Sequence, residues 1–553
     1  MSKRPDDTSQ QKKYLADLIT KLPPIAQARV LLEHFAVTSH PNCGILHIPS
    51  CRNVLEESYR KVGVGGTPSI ENLLLLFGIF AGAAFLWSPI LLQQLHATRA
   101  ESKAAFLEYS QLGMSIIDNI VQPLTPSTIA LAAMTNLHYV TAHARGLSDN
   151  AVALRMKCYA MARILQIDRM DTAKVREERK RRGCSIVETE IQRRIWWNLV
   201  GSDWLNAFSG GPNDGTYSLQ PRYMCVRLPA NIDDKDLTEH MVESDIPLSI
   251  PSDMSAFIQR AKISAVCREV VDSLPSQFDD AAEPDYEAVL QMDQKFRAYQ
   301  ANLPTFFRLD PESVEKSKDT CRERPLIALQ RVGVNFSVHI RLCRLHRPYH
   351  LEGLTNPKYT YSYKACIHEA QRVLELRRAM DECAPLGMNP ARSWIVMQHV
   401  SIAALILATE VSFNPSAPNA EDRKAKVLAT CELLEKSIEE SGSIMDGVQR
   451  NMQVLISTLQ RKRPQSFSHH NTLQRIESNH GQPNGVMAME TDGEAAQPAA
   501  AASVGNAIAN DGFIGEMDTD QTNWDQLWKD FIDIAPELDT TQWDLLFEDV
   551  QSF

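Results

Sequence analysis

The stretch LRMKCYAMARIL, residues 154–165, carries its apolar residues at the spacing of an amphipathic helix. They lie at i, i+4, i+7, i+8 and i+11, which are Leu154, Cys158, Met161, Ala162 and Leu165. Residues at these intervals share one face of an α-helix. The same period recurs at Leu329, Val332, Phe336, Ile340 and Cys343, and at Tyr363, Ile367, Ala370 and Leu374. Because alternating strand patterns are scarce, we predict an all-α protein.

Changes in composition divide the chain into four parts. Residues 1–25 begin charged and polar, and we expect a disordered segment there, whereas residues 26–460 carry the helical patterns of one large domain. Residues 461–515 are rich in Ser, Asn, Gln, Gly, Pro and Ala. Such a segment buries too little apolar surface to offset its ordering entropy, so we predict a disordered low-complexity linker. Residues 516–553 form a separate acidic tail.

The net charge of the chain is concentrated in this tail. Residues 516–553 contain eleven acidic residues and one basic residue, Lys529, which accounts for −10 of the formal net charge of −11. Residues 1–515 are therefore almost neutral. A large nucleic-acid-binding surface needs a clustered excess of cations, and the sequence of the body gives no sign of one.

The tail also has two short aromatic patterns. Each places four apolar residues at i, i+3, i+4 and i+7, and these are Trp524, Leu527, Trp528 and Phe531, then Trp543, Leu546, Phe547 and Val550. Neither segment is long enough to form a stable helix alone in water, but each could fold on a partner by laying its apolar face in a groove. We interpret the tail as an activation domain that binds a transcriptional coactivator. The alternative is a helical pair that packs back on the body.

The cysteines and the missing motifs exclude several classes of protein. The eleven cysteines are scattered, with no Cys-x-x-Cys pair, and the first residues lack the apolar core of a signal peptide. Reduced thiols inside the cell are the natural interpretation. We find no phosphate-binding loop, nucleophile elbow or zinc-protease motif, and GVGG at 63–66 has no following lysine. We therefore expect no enzyme activity, and neither a metal nor a cofactor.

One apolar stretch is long enough to span a bilayer. Residues 73–92 contain no charge, and no other segment of the sequence resembles them. Gly78, Gly82, Ser88 and Pro89 interrupt the stretch, and a helix buried inside a large helical protein has the same composition. We favour the buried helix and expect no membrane association.

Several segments resemble the regulatory region of fungal zinc-cluster transcription factors. LLEHFAVTSHPNCGILHIPS at 31–50 is similar to the opening helix and loop of that region. EIQRRIWWNLVGSD at 190–203 resembles its pattern of an acid, two bases, a double tryptophan and an aspartate. Residues 156–168, 210–234, 342–349 and 366–374 resemble further segments, in the family order. The matching positions are Phe35, His47, Pro49, Glu190, Arg193, Arg194, Trp196, Trp197, Asp203, Gly210, Pro212, Pro229, Asp233, His346, Arg347 and Pro348.

The resemblance covers about 430 residues and implies a helical regulatory domain in the nucleus. It implies a regulator of RNA polymerase II transcription that controls a metabolic or biosynthetic gene set. At position 211 the family often has arginine where this sequence has glycine, so no role is carried over to that position.

The zinc cluster of the family requires six cysteines in paired spacing, and no cysteine precedes Leu31. We expect either a member without this module or a sequence whose first exon is missing. Zinc is expected only with such a module, and DNA contact only through it or through a partner. The alternative functions are a cofactor or decoy that dimerises with an intact zinc-cluster factor, and a helical module that senses a metabolite. Homodimers are also compatible with the family.

Three local patterns have a functional and a structural interpretation. Trp196, Val200 and Asp203 share a helix face that could line a ligand pocket, but we favour a core face in which an arginine or a helix N-terminus satisfies the aspartate. His339, Cys343 and His346 could suggest a metal, but they lack a fourth ligand nearby, and we favour structural histidines. The candidate nuclear import residues are Arg179, Lys180, Arg181, Arg182, Arg461, Lys462 and Arg463, and the alternative for the first cluster is a solvated helix or loop.

Overall fold

The computed structural model describes residues 5–120, 123–146, 148–210, 213–239, 246–274, 285–384, 388–414 and 416–441. Within these ranges it contains nineteen α-helices and no β-strand, which confirms the all-α prediction. The N-terminal half holds α1 Pro5–Thr20, α2 Ile25–Thr38, α3 His40–Cys43, α4 Ile48–Gly63, α5 Ile70–Phe85, α6 Pro89–Leu95, α7 Arg99–Ile117, α8 Thr128–Arg145, α9 Asp149–Ile164, α10 Ala173–Arg182 and α11 Ile186–Asn206. The C-terminal half holds α12 Ser255–Ser273, α13 Tyr286–Ala301, α14 Pro311–Lys316, α15 Lys318–Glu323, α16 Leu326–His346, α17 Thr360–Cys383, α18 Trp394–Phe413 and α19 Ala420–Ser441.

Helix starts follow from local side-chain chemistry. Ser69 and Ser127 cap α5 and α8, because each hydroxyl accepts a hydrogen bond from a backbone N–H in the first turn. At the start of α7, Thr98 and Glu101 form a reciprocal capping box. These caps satisfy N–H groups that have no partner inside the helix.

Helix α5 is the centre of the N-terminal half. It packs against α2, α7 and α8, and every residue from Leu73 to Phe85 is buried. A Cβ atom at Gly82 would lie 2.8 Å from a ring carbon of Phe35, so this glycine lets α2 approach α5 closely. The apolar stretch 73–92 is therefore not one continuous helix. It ends at Phe85, and α6 begins after the Ser88 cap.

The expectation that no other segment resembles this stretch was wrong. Helix α18 is long and apolar enough to cross a membrane, and 78% of its most apolar window is buried inside the protein. It packs against α17 and α19 in the core of the C-terminal half. This extent of burial is what a core helix of a large helical protein shows.

The N-terminus differs from the expected disorder over residues 5–20, which form α1. Leu18 is buried, and Lys21, just beyond the helix, forms an ion pair of 2.8 Å with Glu108 on α7. The contact of this helix with α5 supplies apolar burial that the polar composition of residues 1–13 does not suggest. The linker and the acidic tail lie outside the described residues.

Candidate functional site

The motif residues of α11 meet the loop that follows it in a buried network of charges. The side chain of Arg194 is fully buried, and its Nη1 lies 2.6 Å from Asp234 Oδ1. The same nitrogen donates to the carbonyl oxygen of Leu46 at 3.1 Å. The other oxygen of Asp234 accepts from the backbone N–H of Ile48 at 2.8 Å, and His40 Nε2 lies 3.3 Å from it. One carboxylate thus joins three separate segments.

Asp234 and His40 have opposite shifts in pKa. Burial alone would raise the pKa of Asp234, but the charge of Arg194 and the hydrogen bond from His40 hold it well below its usual range. Burial would lower the pKa of His40, but the hydrogen bond to Asp234 raises it to about 9. At neutral pH the network therefore consists of two cations and one carboxylate.

Further motif residues beside this network, Arg193, Glu190 and Asp233, form contacts of their own. Arg193 forms a two-pronged pair with Asp171, at 2.6 and 3.0 Å, while Glu190 accepts from the backbone N–H of Ala230 at 2.8 Å. Asp233 forms an ion pair with Arg324, which lies just before α16 in the C-terminal half. The motif acids and bases thus fasten the loop after α11 to both halves of the protein.

The remaining motif residues of the N-terminal half have structural positions. Phe35 is fully buried beside α5, and Pro49 lies in the first turn of α4. His47 Nε2 lies 2.9 Å from the carbonyl oxygen of Asp234, and its Nδ1 lies 2.8 Å from the hydroxyl of Ser50. Burial lowers the pKa of His47, so the neutral ring links α4 to the loop.

The hydrogen-bond donors to the carboxylate of Asp203 differ from those that the sequence predicted. The carboxylate accepts hydrogen bonds from the backbone N–H groups of Ser218 and Leu219, at 2.8 and 2.7 Å, rather than from an arginine side chain or a helix N-terminus. Trp196 is buried in the core, and Trp197 Nε1 donates to a loop carbonyl at 2.7 Å. Pro229 is buried and Gly210 adopts a positive φ, whereas Pro212 lies outside the described residues.

The histidines of α16 contact acidic side chains rather than one another. His346 lies 3.0 Å from Asp293 Oδ1 and 2.9 Å from the hydroxyl of Ser362, and His339 pairs with Glu369. Within the described residues, no group of three or more His, Cys, Asp or Glu side chains could hold a metal ion. Arg347 and Pro348 lie in the turn after α16, where burial lowers the pKa of Arg347 to about 10.

The first candidate import signal forms the last turn of α10. Lys180, Arg181 and Arg182 are exposed there, and cations at this end complement the helix dipole. Arg179 is half-buried, and it donates to Thr189 at 3.2 Å. The second signal at 461–463 and the eight apolar tail residues lie outside the described residues.

A cavity of about 580 Å³ lies where the two halves meet. The N-terminal half lines it with α3 and the residue before it and with α8 and α11, and the C-terminal half lines it with α12, α16 and α18. The wall is mostly apolar and aromatic. Its volume is within the range of about 300–1,000 Å³ typical of pockets for small organic ligands.

Titratable side chains of the wall face the interior of the cavity. Tyr139, His143 and His399 line the cavity, and each is half-buried. Burial, together with a smaller effect of nearby arginines, lowers the pKa of His143 and of His399 to about 3. Both imidazoles are therefore neutral at physiological pH.

The cavity was missed by sequence reasoning. Its polar groups come from α8, α12, α16 and α18, so no local motif brings them together. The sequence feature that indicates such a cavity is a titratable residue inside an apolar segment. Examples are Arg341 within VNFSVHIRLC and His399 within WIVMQHVSIAALIL. The helix face of Trp196, Val200 and Asp203, considered as a possible ligand pocket, does not line this cavity.

The chain is similar to proteins named as transcription factors, although no family model matches it. It is 31% identical over 449 residues to "Probable transcription factor lepB" of Aspergillus flavus, covering 79% of each chain. It is 27% identical over 538 residues to "Agnestins biosynthesis cluster transcription factor AgnL11" of Paecilomyces divaricatus, covering 96% of this chain and 74% of that one. "Transcription factor TAS2" of Pyricularia oryzae is 27% identical over 429 residues, covering 72% of this chain and 54% of that one.

Proposed function

Because the chain belongs to a family of fungal transcription factors, we propose that it is a nuclear regulator of RNA polymerase II transcription of the zinc-cluster type. The observation that carries this proposal is the similarity to named transcription factors over more than two thirds of the chain. One of these relatives is named for a biosynthesis cluster, which supports control of a biosynthetic gene set. The all-helical body agrees with the helical regulatory domain that the sequence motifs imply.

In this proposal, the acidic tail, residues 516–553, is the segment that activates transcription. Acidic residues flank each of its two aromatic patterns, and their charge keeps the exposed apolar side chains soluble before a partner binds. A coactivator with an apolar groove and basic rim would bury these faces as short helices. DNA would be reached through a zinc-cluster module or a dimer partner.

A fusion experiment tests the tail directly. Residues 516–553 joined to an unrelated DNA-binding domain should activate a reporter, and changing Trp528, Phe531, Trp543 and Phe547 to Ala should abolish the signal. The matched control changes Thr522, Gln526, Thr541 and Gln551 to Ala, because these polar residues are not among the eight apolar residues of the two patterns and carry no charge. A silent parent fusion, or equal activity of both variants at equal expression, would contradict the proposal.

Nuclear import is tested by the two basic clusters. Fluorescently tagged chain should move from the nucleus to the cytoplasm when residues 179–182 and 461–463 are changed to Ala together. The control replaces Lys316, Lys318 and Arg322, which are exposed basic residues on α14 and α15. Unchanged nuclear fluorescence of the combined variant would show that neither cluster is needed.

A further inference from the structure

We propose that the cavity between the two halves binds a small organic anion with an apolar, aromatic-sized body. Nothing in the similarity to transcription factors assigns a ligand to these residues. The proposal concerns the folded body alone, so it does not depend on the activity of the tail.

The first argument is the unbalanced charge of the wall. Arg260 and Arg341 both line the cavity, and neither forms an ion pair with a carboxylate among the described residues. Arg260 donates to the carbonyl oxygens of Asn42 and Cys43, and Arg341 donates to Ser337 on its own helix. Arg341 is buried, whereas Arg260 is half-buried and lies 4.9 Å from the centre of the Phe257 ring. Charges taken out of water in proteins are usually paired with an opposite charge. Two guanidinium groups beside one cavity therefore favour a ligand that brings a negative charge.

The second argument is the distribution of the other titratable groups. The one carboxylate in the described lining is Asp149, which is exposed at the start of α9. His143 and His399 are neutral, and His143 Nδ1 lies 3.0 Å from the hydroxyl of Ser393. Neutral imidazoles add no repulsion and offer hydrogen bonds, whereas the two arginines oppose a cationic ligand.

The third argument is the shape and chemistry of the remaining wall. Large apolar side chains from both halves surround the space, among them Phe85, Leu205, Phe257, Phe336, Ile340 and Trp394. Burying an apolar ligand body against such a wall stabilises the complex by roughly 25 cal/mol per Å². A multiply charged phosphate compound would leave most of this wall without a partner. The combination fits a carboxylic acid, sulfonate or ionised phenol on an aromatic or alicyclic body.

Two fluorescent probes test the charge requirement on the purified full chain. The anion 8-anilinonaphthalene-1-sulfonate and the neutral N-phenyl-1-naphthylamine share an aromatic framework and differ in the sulfonate. We expect one high-affinity site for the anion, with an affinity at least about 10-fold above that of the neutral probe, because hydrogen bonds to charged groups contribute about 1.5–3 kcal/mol. The bound anion should also raise the melting temperature, which distinguishes binding to the folded protein from binding to a loosened state.

Substitutions then locate the site. Arg260→Gln and Arg341→Gln should each lower the affinity for the anion about 10-fold and change the affinity for the neutral probe by less than about 2-fold. The reason is that each substitution removes a charged donor and leaves the apolar wall unchanged. The control is Arg322→Gln on the exposed surface of α15. Gly333 lines the cavity, and a Cβ there meets no atom within 4 Å. The larger side chain of Gly333→Leu should therefore fill the cavity and abolish binding of both probes. Gly63→Leu is the matched control, since its Cβ also meets open space but lies on the surface of α4.

The proposal is overturned by any of three results. These are equal affinity of the two probes for the unsubstituted chain, anion affinity that survives both arginine substitutions, and probe binding that survives Gly333→Leu in a folded protein. The comparison of the two probes needs no substitution, so it decides the charge argument even where a variant fails to fold.

Discussion

At the scale of single residues, the buried pair of Arg194 and Asp234 governs the network around α11. The guanidinium is fully buried, and the carboxylate accepts from it and from the backbone N–H of Ile48. Burying two charges costs desolvation energy, which their contact roughly offsets. Losing one partner is different, because the other charge then keeps only a longer ion pair, Arg194 with Glu190 at 3.9 Å or Asp234 with His40 at 3.3 Å.

Asp234→Ala should therefore destabilise the protein by about 3–5 kcal/mol in urea-induced unfolding followed by circular dichroism. The double variant Arg194→Met/Asp234→Ala should lose less than the sum of the two single variants, because neither member of the Arg194–Asp234 pair is left behind as a buried charge. Glu57→Gln serves as control, since its pair with Arg60 is exposed and should contribute within about 1 kcal/mol. Strict additivity of the two single changes would contradict this account.

His40 should make the stability depend on pH. Its pKa in the folded protein is about 9, above the value of about 6.5 in an unfolded chain. Folding therefore favours its protonated form, and this contribution is fully present below about pH 6.5 and is lost as the pH rises through about 9. The melting temperature of His40→Asn should lie below that of the unsubstituted chain at pH 6, and the gap should shrink by pH 9.5. A gap that stays constant over this range would exclude the contribution of His40.

At the scale of elements, the sequence predicted helices better than their ends and partners. The period around Leu154 and around Phe336 corresponds to buried faces of α9 and α16. The stretch at 73–92 was predicted as one buried helix, but it breaks at Phe85 because Ser88 and Pro89 start a new helix. The glycines that looked like interruptions in this stretch are positions of close packing. Which helix covers a glycine depends on tertiary structure, so a local pattern cannot indicate it.

Gly82→Val should destabilise the protein by roughly 1–3 kcal/mol or more, because the new Cβ would overlap the ring of Phe35. Gly63→Val is the control, because its Cβ meets open space. Thermal unfolding of both variants gives the comparison. Equal melting temperatures would mean that α2 and α5 can separate without loss.

At the scale of the whole molecule, the two halves meet around the cavity, through α11 against α12 and through a smaller contact between α8 and α18. Gly146 follows α8 with φ of +74°, and a Cβ there would lie 2.7 Å from the Trp394 ring. The sequence predicted the ordered motifs that the structure gathers around α11. It did not predict the cavity, because groups such as Arg260 and His399 are about 140 residues apart and lie on helices from different parts of the fold.

Gly146→Ala should lower the melting temperature more than Gly183→Ala. Gly183 has the left-handed conformation, φ +62° and ψ +39°, in which Ala costs roughly 1–2 kcal/mol. Gly146 has φ +74° and ψ −162°, a region that essentially only glycine populates, so Ala is more strained there. Only at Gly146 does the added methyl group meet another side chain, whereas at Gly183 nothing lies within 4 Å. Similar losses in both variants would contradict both the added backbone strain at Gly146 and the clash with Trp394.

The Arg194–Asp234 pair also constrains how this protein can diverge. A lineage that loses the acid at 234 first passes through a form in which the buried Arg194 has lost its short ion pair. A lineage that loses the arginine first passes through a form in which the buried Asp234 has lost that pair. Both single steps are costly, whereas a chain that has changed both positions is close to neutral. Positions 194 and 234 are therefore expected to be replaced together among diverging sequences, while an exposed pair such as Glu57 and Arg60 is expected to drift independently.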